Sequence, residues 1–335
     1  MAPMDSGGGN GRLPRYERAK KPPPVQLQPR DIEILRAIGC EYRYLTTRQI
    51  HLLFFGGSMS QTRLRLMKLY HSRYLDRAHR PVVKGSGEAV YCLDRKGANI
   101  LAGELNIDRG RIFWRGKKKA LSHDSLEHAL KVNDFRVALS IACERTGTAR
   151  LVGEWVGEQV LRDLRQKVRV PYPSDPDRYI ECPIVADGCF GLEFENSLQQ
   201  FFMLEMDLGT ESNTRFALKV RAYKEYLESG KYREIFGERA FKVLVVTTSP
   251  RRMENLMKTA RKAGDRSTFW FTDFSKYTQD GELLPEQLMA EIWRVPADWF
   301  ALEEDWHGGR YVQIAQPKDT GRCRSLLELA GPAPA

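Results

Sequence analysis

Four residues in the second half of the chain have types and spacing suited to phosphoryl chemistry: Asp187, Glu205, Asp207 and Lys219. In an extended segment, residues two apart point the same way, so Glu205 and Asp207 project together from the end of the apolar run Phe201-Phe202-Met203-Leu204. Asp187 closes a neighbouring extended segment and meets them if the two strands are adjacent. Three carboxylates converging at a sheet end supply hard oxygen ligands for a magnesium or manganese ion. Such an ion turns water into a nucleophile and neutralises charge on a phosphate under attack. Lys219, one helix later, is placed to stabilise that charge or orient the water. The same spacing also fits carboxylates that cap turns or pair with a nearby arginine, and both readings stand at this level. No GxxxxGK[ST] loop, GxSxG elbow or HExxH helix offers other chemistry. His123 and His128, five apart, lack the spacing of a helical ligand pair and read as structural histidines.

Placing the four residues together requires an α-β-β-β-α-β order. Residues 122–143 read as a helix with Leu126, Leu130, Val137 and Ile141 on one side. Residues 151–156 are extended, and 158–164 continue as a strand or short helix before a Pro/Asp-rich loop at 171–177. Residues 180–187 and 189–194 are expected to pair as a hairpin turning at Asp187-Gly188. A helix over 214–232 directs Phe216 and Tyr223 to the core, followed by a buried strand at 241–248, a helix at 251–263 and a last strand at 269–271. Strands alternating with helices predict an α/β layer fold, α+β for the chain as a whole.

Charge separates this half from the first. Of the 335 residues, the first 120 carry 24 Lys/Arg against 10 Asp/Glu, a net of +14, whereas the other 215 carry a net of −4. That asymmetry reads as a nucleic-acid grip joined to something different. Ile32, Leu35 and Ile38 predict a first helix; Thr46-Thr47 caps a second over 48–54; Gly56-Gly57 breaks it, and Ser58 or Ser60 starts a third. Leu64, Met67 and Leu69 are expected to face inward there, leaving Gln61, Thr62, Arg63, Arg65 and Lys68 for base edges and phosphates. Two short strands around Gly85-Ser86-Gly87 make a wing, with Lys84 at its tip for a phosphate or minor-groove contact. Three helices and a hairpin wing predict a winged helix-turn-helix that binds double-stranded DNA.

The remaining segments are expected to organise around these two units. Residues 1–29 form a disordered basic arm, 30–105 the winged helix-turn-helix, 106–121 a basic linker, 122–300 the α/β domain, and 306–335 a largely disordered tail. No run approaches the roughly 18 uncharged apolar residues of a membrane span. The amino-terminal segment lacks the apolar centre of a secretory signal, and six scattered cysteines form no Cys-x-x-Cys pair. A cytoplasmic location with no membrane partner is expected.

The ordering Asn133-Asp134-Phe135, Trp155-x-x-Glu158-x-x-Leu161-Arg162, Ala186-Asp187-Gly188, Glu205-Met206-Asp207-Leu208-Gly209-Thr210-Glu211 and Lys219-x-x-x-Tyr223 resembles the replication-relaxation family over about residues 30–275. The resemblance implies an amino-terminal winged helix-turn-helix and a role in replication, relaxation or mobilisation of plasmid or mobile-element DNA, with replication or mobilisation proteins as partners. The second half is also similar to a divergent PD-(D/E)XK core, the restriction-endonuclease-like fold. That likeness makes Asp187 the first-motif aspartate and Glu205 the second-motif acid, and implies either a metal-dependent endonuclease or a domain that binds DNA without cutting it. Ala186 stands where that motif has proline, and Asp207 stands where it has its lysine. Lys219 on the next helix is the substitute the likeness offers.

Overall fold

The computed structural model describes residues 14, 17–22, 24–79, 87–114, 122–172, 175–237, 240–307, 310–318 and 321–330. The chain divides into two compact units, Met1–His123 and Asp124–Ala335.

In the first unit, α1 (Pro29–Arg36) begins with a proline at its first turn and runs into a π-helical segment, Ala37–Tyr42. Ile34, Leu35 and Ile38 are fully buried along it. A two-residue strand, β1 (Leu45–Thr46), leads into α2 (Thr47–Phe54). Thr46 and Gln49 form a reciprocal cap: the Thr46 hydroxyl accepts from the Gln49 amide at 3.2 Å, and Gln49 Oε1 accepts from the Thr46 amide at 2.8 Å. The helix α3 (Met59–His71) starts at Ser58, whose hydroxyl accepts from Ser60 N. Strands β2 (Leu75–His79) and β3 (Ala89–Leu93) pair antiparallel, and β1 lies on the other edge of β3. A fourth helix, α4 (Arg95–Leu105), closes the unit.

Two expectations change here. The buried residues of α3 are Thr62, Leu66, Leu69, Tyr70 and His71, and Leu64 is exposed. Thr62, Leu66 and Leu69 follow an i, i+4, i+7 spacing and share one face, which turns Leu64 to the opposite side. The amino-terminal arm is partly anchored. The Arg18 guanidinium lies 4.3 Å over the Tyr70 ring and donates to Asp76 at 2.9 Å and Asp94 at 2.6 Å, while Ala19 N donates to His71 Nδ1 at 3.0 Å.

The second unit runs α5 (His123–Thr146), β4 (Ala149–Gly157), α6 (Glu158–Asp163), β5 (Lys167–Tyr172), β6 (Asp175–Pro183), β7 (Gly188–Phe194), β8 (Gln199–Asp207), α7 (Asn213–Glu228), α8 (Arg233–Phe236), β9 (Phe241–Thr247), α9 (Pro250–Lys262) and β10 (Phe269–Asp273). Five strands form one mixed sheet in the order β10-β9-β8-β7-β4. Within it β4, β7 and β8 are antiparallel neighbours, and β9 and β10 run parallel to β8. Alternation along the central strands feeds two cores. Met203, Val243, Val245, Phe269 and Phe271 pack with α7 and α9 through Phe216, Tyr223 and Leu256. Leu204, Met206, Leu244, Val246 and Trp270 pack with α5 through Phe135 and Leu139. The result is a mixed α/β structure with helices on both faces of the sheet.

The expected hairpin at Asp187-Gly188 does not form. Strand β6 pairs with β5 in a separate two-stranded ribbon, and β7 pairs with β4 and β8 instead. Gly188 is required for close packing: a Cβ there would lie 2.1 Å from Cζ2 of Trp155. The carboxy-terminal segment expected to lack structure is also paired. Phe300–His307 runs antiparallel to Arg310–Pro317, and Leu326 is fully buried. The β-branched Ile314 suits the strand. No helix among the described residues is long and apolar enough to cross a membrane.

Candidate functional site

Strand β8 ends where β7 begins, and this end of the sheet carries the polar cluster. Asp187 immediately precedes β7. Its amide donates to Leu204 O at 2.9 Å, and its Oδ2 accepts from Met206 N at 2.7 Å, which ties it to the edge of β8. Glu205 lies inside β8 and is only 5% exposed. Above it, α7 is capped by Ser212, which accepts from Arg215 N at 3.3 Å. Lys219 and Tyr223, four apart on α7, therefore face the same carboxylate. Lys219 Nζ donates to Glu205 Oε2 at 2.8 Å, and the Tyr223 hydroxyl donates to Oε1. Lys219 also lies 3.2 Å from Glu211 Oε2. From the other face of the sheet, His128 on α5 donates through Nε2 to Met206 O at 3.1 Å and lies 3.4 Å from Asp187 Oδ2.

Burial pushes the Glu205 carboxyl up to about 7; Lys219 pulls against that shift and Asp187 adds to it. Burial alone pulls Lys219 down, but Glu205 and Glu211 carry it above the ordinary lysine range, so the ammonium stays charged. The hydrogen bond to Asp187 raises His128 against the opposing effect of burial.

Asp207 shares a strand face with Glu205 but has a different set of partners. Its Oδ2 accepts from Thr247 Oγ1 at 2.7 Å and Arg252 Nε at 2.8 Å, and its Oδ1 accepts from Arg252 Nη2 at 2.9 Å. Ser249 caps α9 by accepting from Arg252 N, which holds that arginine in the first turn. Burial raises Asp207, but the hydrogen bonds from Arg252 and Thr247 outweigh it and leave the carboxyl below its usual range. The expected convergence of Asp187, Glu205 and Asp207 is therefore replaced by Asp187, Glu205 and Lys219, with Asp207 withdrawn into a bidentate ion pair. No group of three or more His, Cys, Asp or Glu side chains among the described residues is arranged to hold a metal ion. Both oxygens of Glu205 and of Asp207 accept from protein donors, so a magnesium or manganese ion at 187, 205 and 207 would compete with Lys219, Tyr223, Thr247 and Arg252 for these carboxylates.

Sequence reading did not assign His128, Glu211 or Arg252 to this cluster. The Lys219-x-x-x-Tyr223 spacing did signal the helix face that covers Glu205. Arg252 and His128 come from distant helices, and nothing in their own spacing marks them.

In the first unit, the expected DNA-contacting residues of α3 divide into two groups. Gln61 and Arg63 are exposed and Lys68 is half-buried. Thr62 is fully buried and lies 2.8 Å from His51 Nδ1 through its hydroxyl, so it is withdrawn from the outer face. Arg65 turns inward to Asp31, with Nε 2.9 Å from Oδ1, and its Nη2 donates to Gln26 O at 2.8 Å. Asp31 is fully buried, and Arg65 is its charge partner, with Gln28 N donating to Oδ2 at 2.7 Å. Lys84 lies outside the described residues.

A family model described as replication-relaxation matches residues 35–238. No curated protein matches the chain. No solved structure matches it either.

Proposed function

The chain belongs to the replication-relaxation family, and from that premise we propose that it binds duplex DNA through a winged helix-turn-helix in its first unit. It acts in replication, relaxation or mobilisation of plasmid or mobile-element DNA in the cytoplasm, alongside replication or mobilisation proteins. The observation that carries the reading is the outer face of α3. Arg63, Gln61 and Lys68 remain on that face while Thr62 and Arg65 are drawn into the core. Three helices followed by the antiparallel pair β2–β3 give the element order of a winged helix, whose third helix enters the major groove. The net +14 of the first 120 residues supplies the phosphate attraction.

A second reading, a metal-dependent endonuclease on a PD-(D/E)XK-like second unit, is favoured by the meeting of Asp187, Glu205 and Lys219. The order α5, β4, β7, β8, α7, β9 supports it. The protein donors on Glu205 and Asp207 weigh against it, and the non-cleaving binder is preferred. Incubating supercoiled and linear DNA with the chain and magnesium or manganese separates the two. The binder predicts a mobility shift with intact DNA. Metal-dependent nicking abolished by Asp187→Ala or Glu205→Ala establishes the enzyme instead.

A further inference from the structure

Leu64 is 49% exposed, in the middle of the outward face of α3. Successive helical residues turn by about 100°, which places Ser60, Gln61, Met67 and Lys68 within about 60° of Leu64 and Thr62, Leu66 and Leu69 at about 140° or more. Leu64 is thus the crown of the arc, the side chain that penetrates furthest into any groove the helix enters. The roll of the helix is fixed from behind. Thr62 is held by His51, Arg65 by the buried Asp31, and Leu66 and Leu69 are fully buried.

An aliphatic crown cannot satisfy a phosphate or the donors and acceptors of a base edge. The apolar feature that the major groove does present is the C5-methyl group of thymine, and 5-methylcytosine carries the same group. We propose that Leu64 is a specificity-determining residue that packs on the C5-methyl of a pyrimidine in the major groove. Gln61 and Arg63 then reach polar base edges or phosphates on either side. The cationic surroundings, Arg63 and Lys68 on the same helix and the net +14 of the first 120 residues, favour DNA over a second protein as the occupant. The inference rests on the reading of α3 as the DNA-contacting helix.

To test it, the full chain selects duplexes from a random pool. Each selected thymine is then replaced by deoxyuridine, and each selected cytosine by 5-methylcytosine. At one position, losing the methyl is expected to weaken binding about fourfold, the factor for one buried methyl-sized group. In Leu64→Ala, which keeps the best helix former at the site, the same exchange is expected to have no effect. A loss with deoxyuridine identifies thymine as the source; a gain only with 5-methylcytosine identifies methylated cytosine. Tight, selective binding that ignores the methyl at every position overturns the inference and leaves DNA binding intact, as does a Leu64→Ala chain that keeps the full methyl effect. Leu64→Ala that dissociates an oligomer without changing DNA selectivity also overturns it, in favour of a protein contact. Failure to bind any duplex removes the DNA-binding reading first, and this inference with it.

Discussion

On α3 of the first unit, Gln61 and Arg63 point to solvent, whereas at the end of β8 in the second unit Glu205 and Asp207 are nearly sealed. Each oxygen of those two carboxylates accepts from a named side chain: Tyr223 and Lys219 for Glu205, Thr247 and Arg252 for Asp207. A cation left toward water costs little to keep and remains available to a phosphate. A buried carboxylate matched in advance holds the sheet end together, and uncovering it leaves an unpaired charge in a poorly solvated place. The difference teaches that acidic residues gathered at a sheet end are not by themselves a catalytic centre. What matters is how many of their lone pairs protein donors already occupy: two on Glu205 and three on Asp207.

The most severe way to probe that contrast is to break a sealed pair. Arg252→Ala strands Asp207 at 5% side-chain exposure and is expected to destabilise the second unit by about 3–5 kcal/mol. Denaturant unfolding reads this, and a loss below about 1 kcal/mol, the range of exposed pairs, erases the distinction between the units.

Arg65→Ala sharpens the comparison from the other side, because Arg65 sits on α3, the helix proposed to face DNA, but is paired with a buried carboxylate as Arg252 is in the second unit. It leaves Asp31 buried without its guanidinium partner, and a loss of about 3 kcal/mol in the stability of the first unit is expected. The slope of DNA affinity against salt should stay unchanged under conditions where the variant is folded. A slope reduced by about one, the signature of a lost phosphate contact, assigns Arg65 to DNA instead.

A smaller effect concerns pH. Burial pushes the folded Glu205 carboxyl up to about 7 from the 4.5 of an unperturbed glutamate. The folded state therefore binds this proton more tightly than the unfolded chain. The stability it contributes is full below about pH 4.5 and lost as pH rises through about 7. His128, raised above 6.5 by Asp187, has the same sign and loses its contribution as pH rises past its folded value. Stability of the second unit should fall between pH 5 and 8, and Glu205→Gln should flatten most of that fall. An unchanged slope in the variant excludes Glu205 as its source.

Much of the fold is legible in the residues. Apolar runs at Phe201–Leu204 and Phe241–Val246 give the central strands, and the capping residues Thr46, Ser58 and Ser249 sit where the helices begin. Period alone could not fix the roll of α3, because Leu64 and Met67 are as apolar as the buried Leu66 and Leu69. Capture of Thr62 by His51 and of Arg65 by Asp31 decides it. Asp187-Gly188 reads locally as a turn, yet the glycine is there to admit Trp155 from β4. At the sheet end, the same-face placement of Glu205 and Asp207 follows from strand period, but their fates do not. Asp207 is claimed by an arginine 45 residues away, and His128 reaches Met206 across 78. Such pairings belong to tertiary packing, and a single sequence does not encode them at short range.

Salt titration of duplex affinity, run in parallel on the full chain, Arg63→Ala and Glu205→Gln, bears most directly on the claim that the first unit grips DNA. With roughly six phosphates neutralised, log affinity should fall against log salt with a slope of about −5. Arg63→Ala should lose affinity, more on a selected site than on random duplex, and Glu205→Gln should match the unaltered chain. A slope near zero, or a loss in Glu205→Gln with none in Arg63→Ala, contradicts the account and moves DNA recognition out of the first unit.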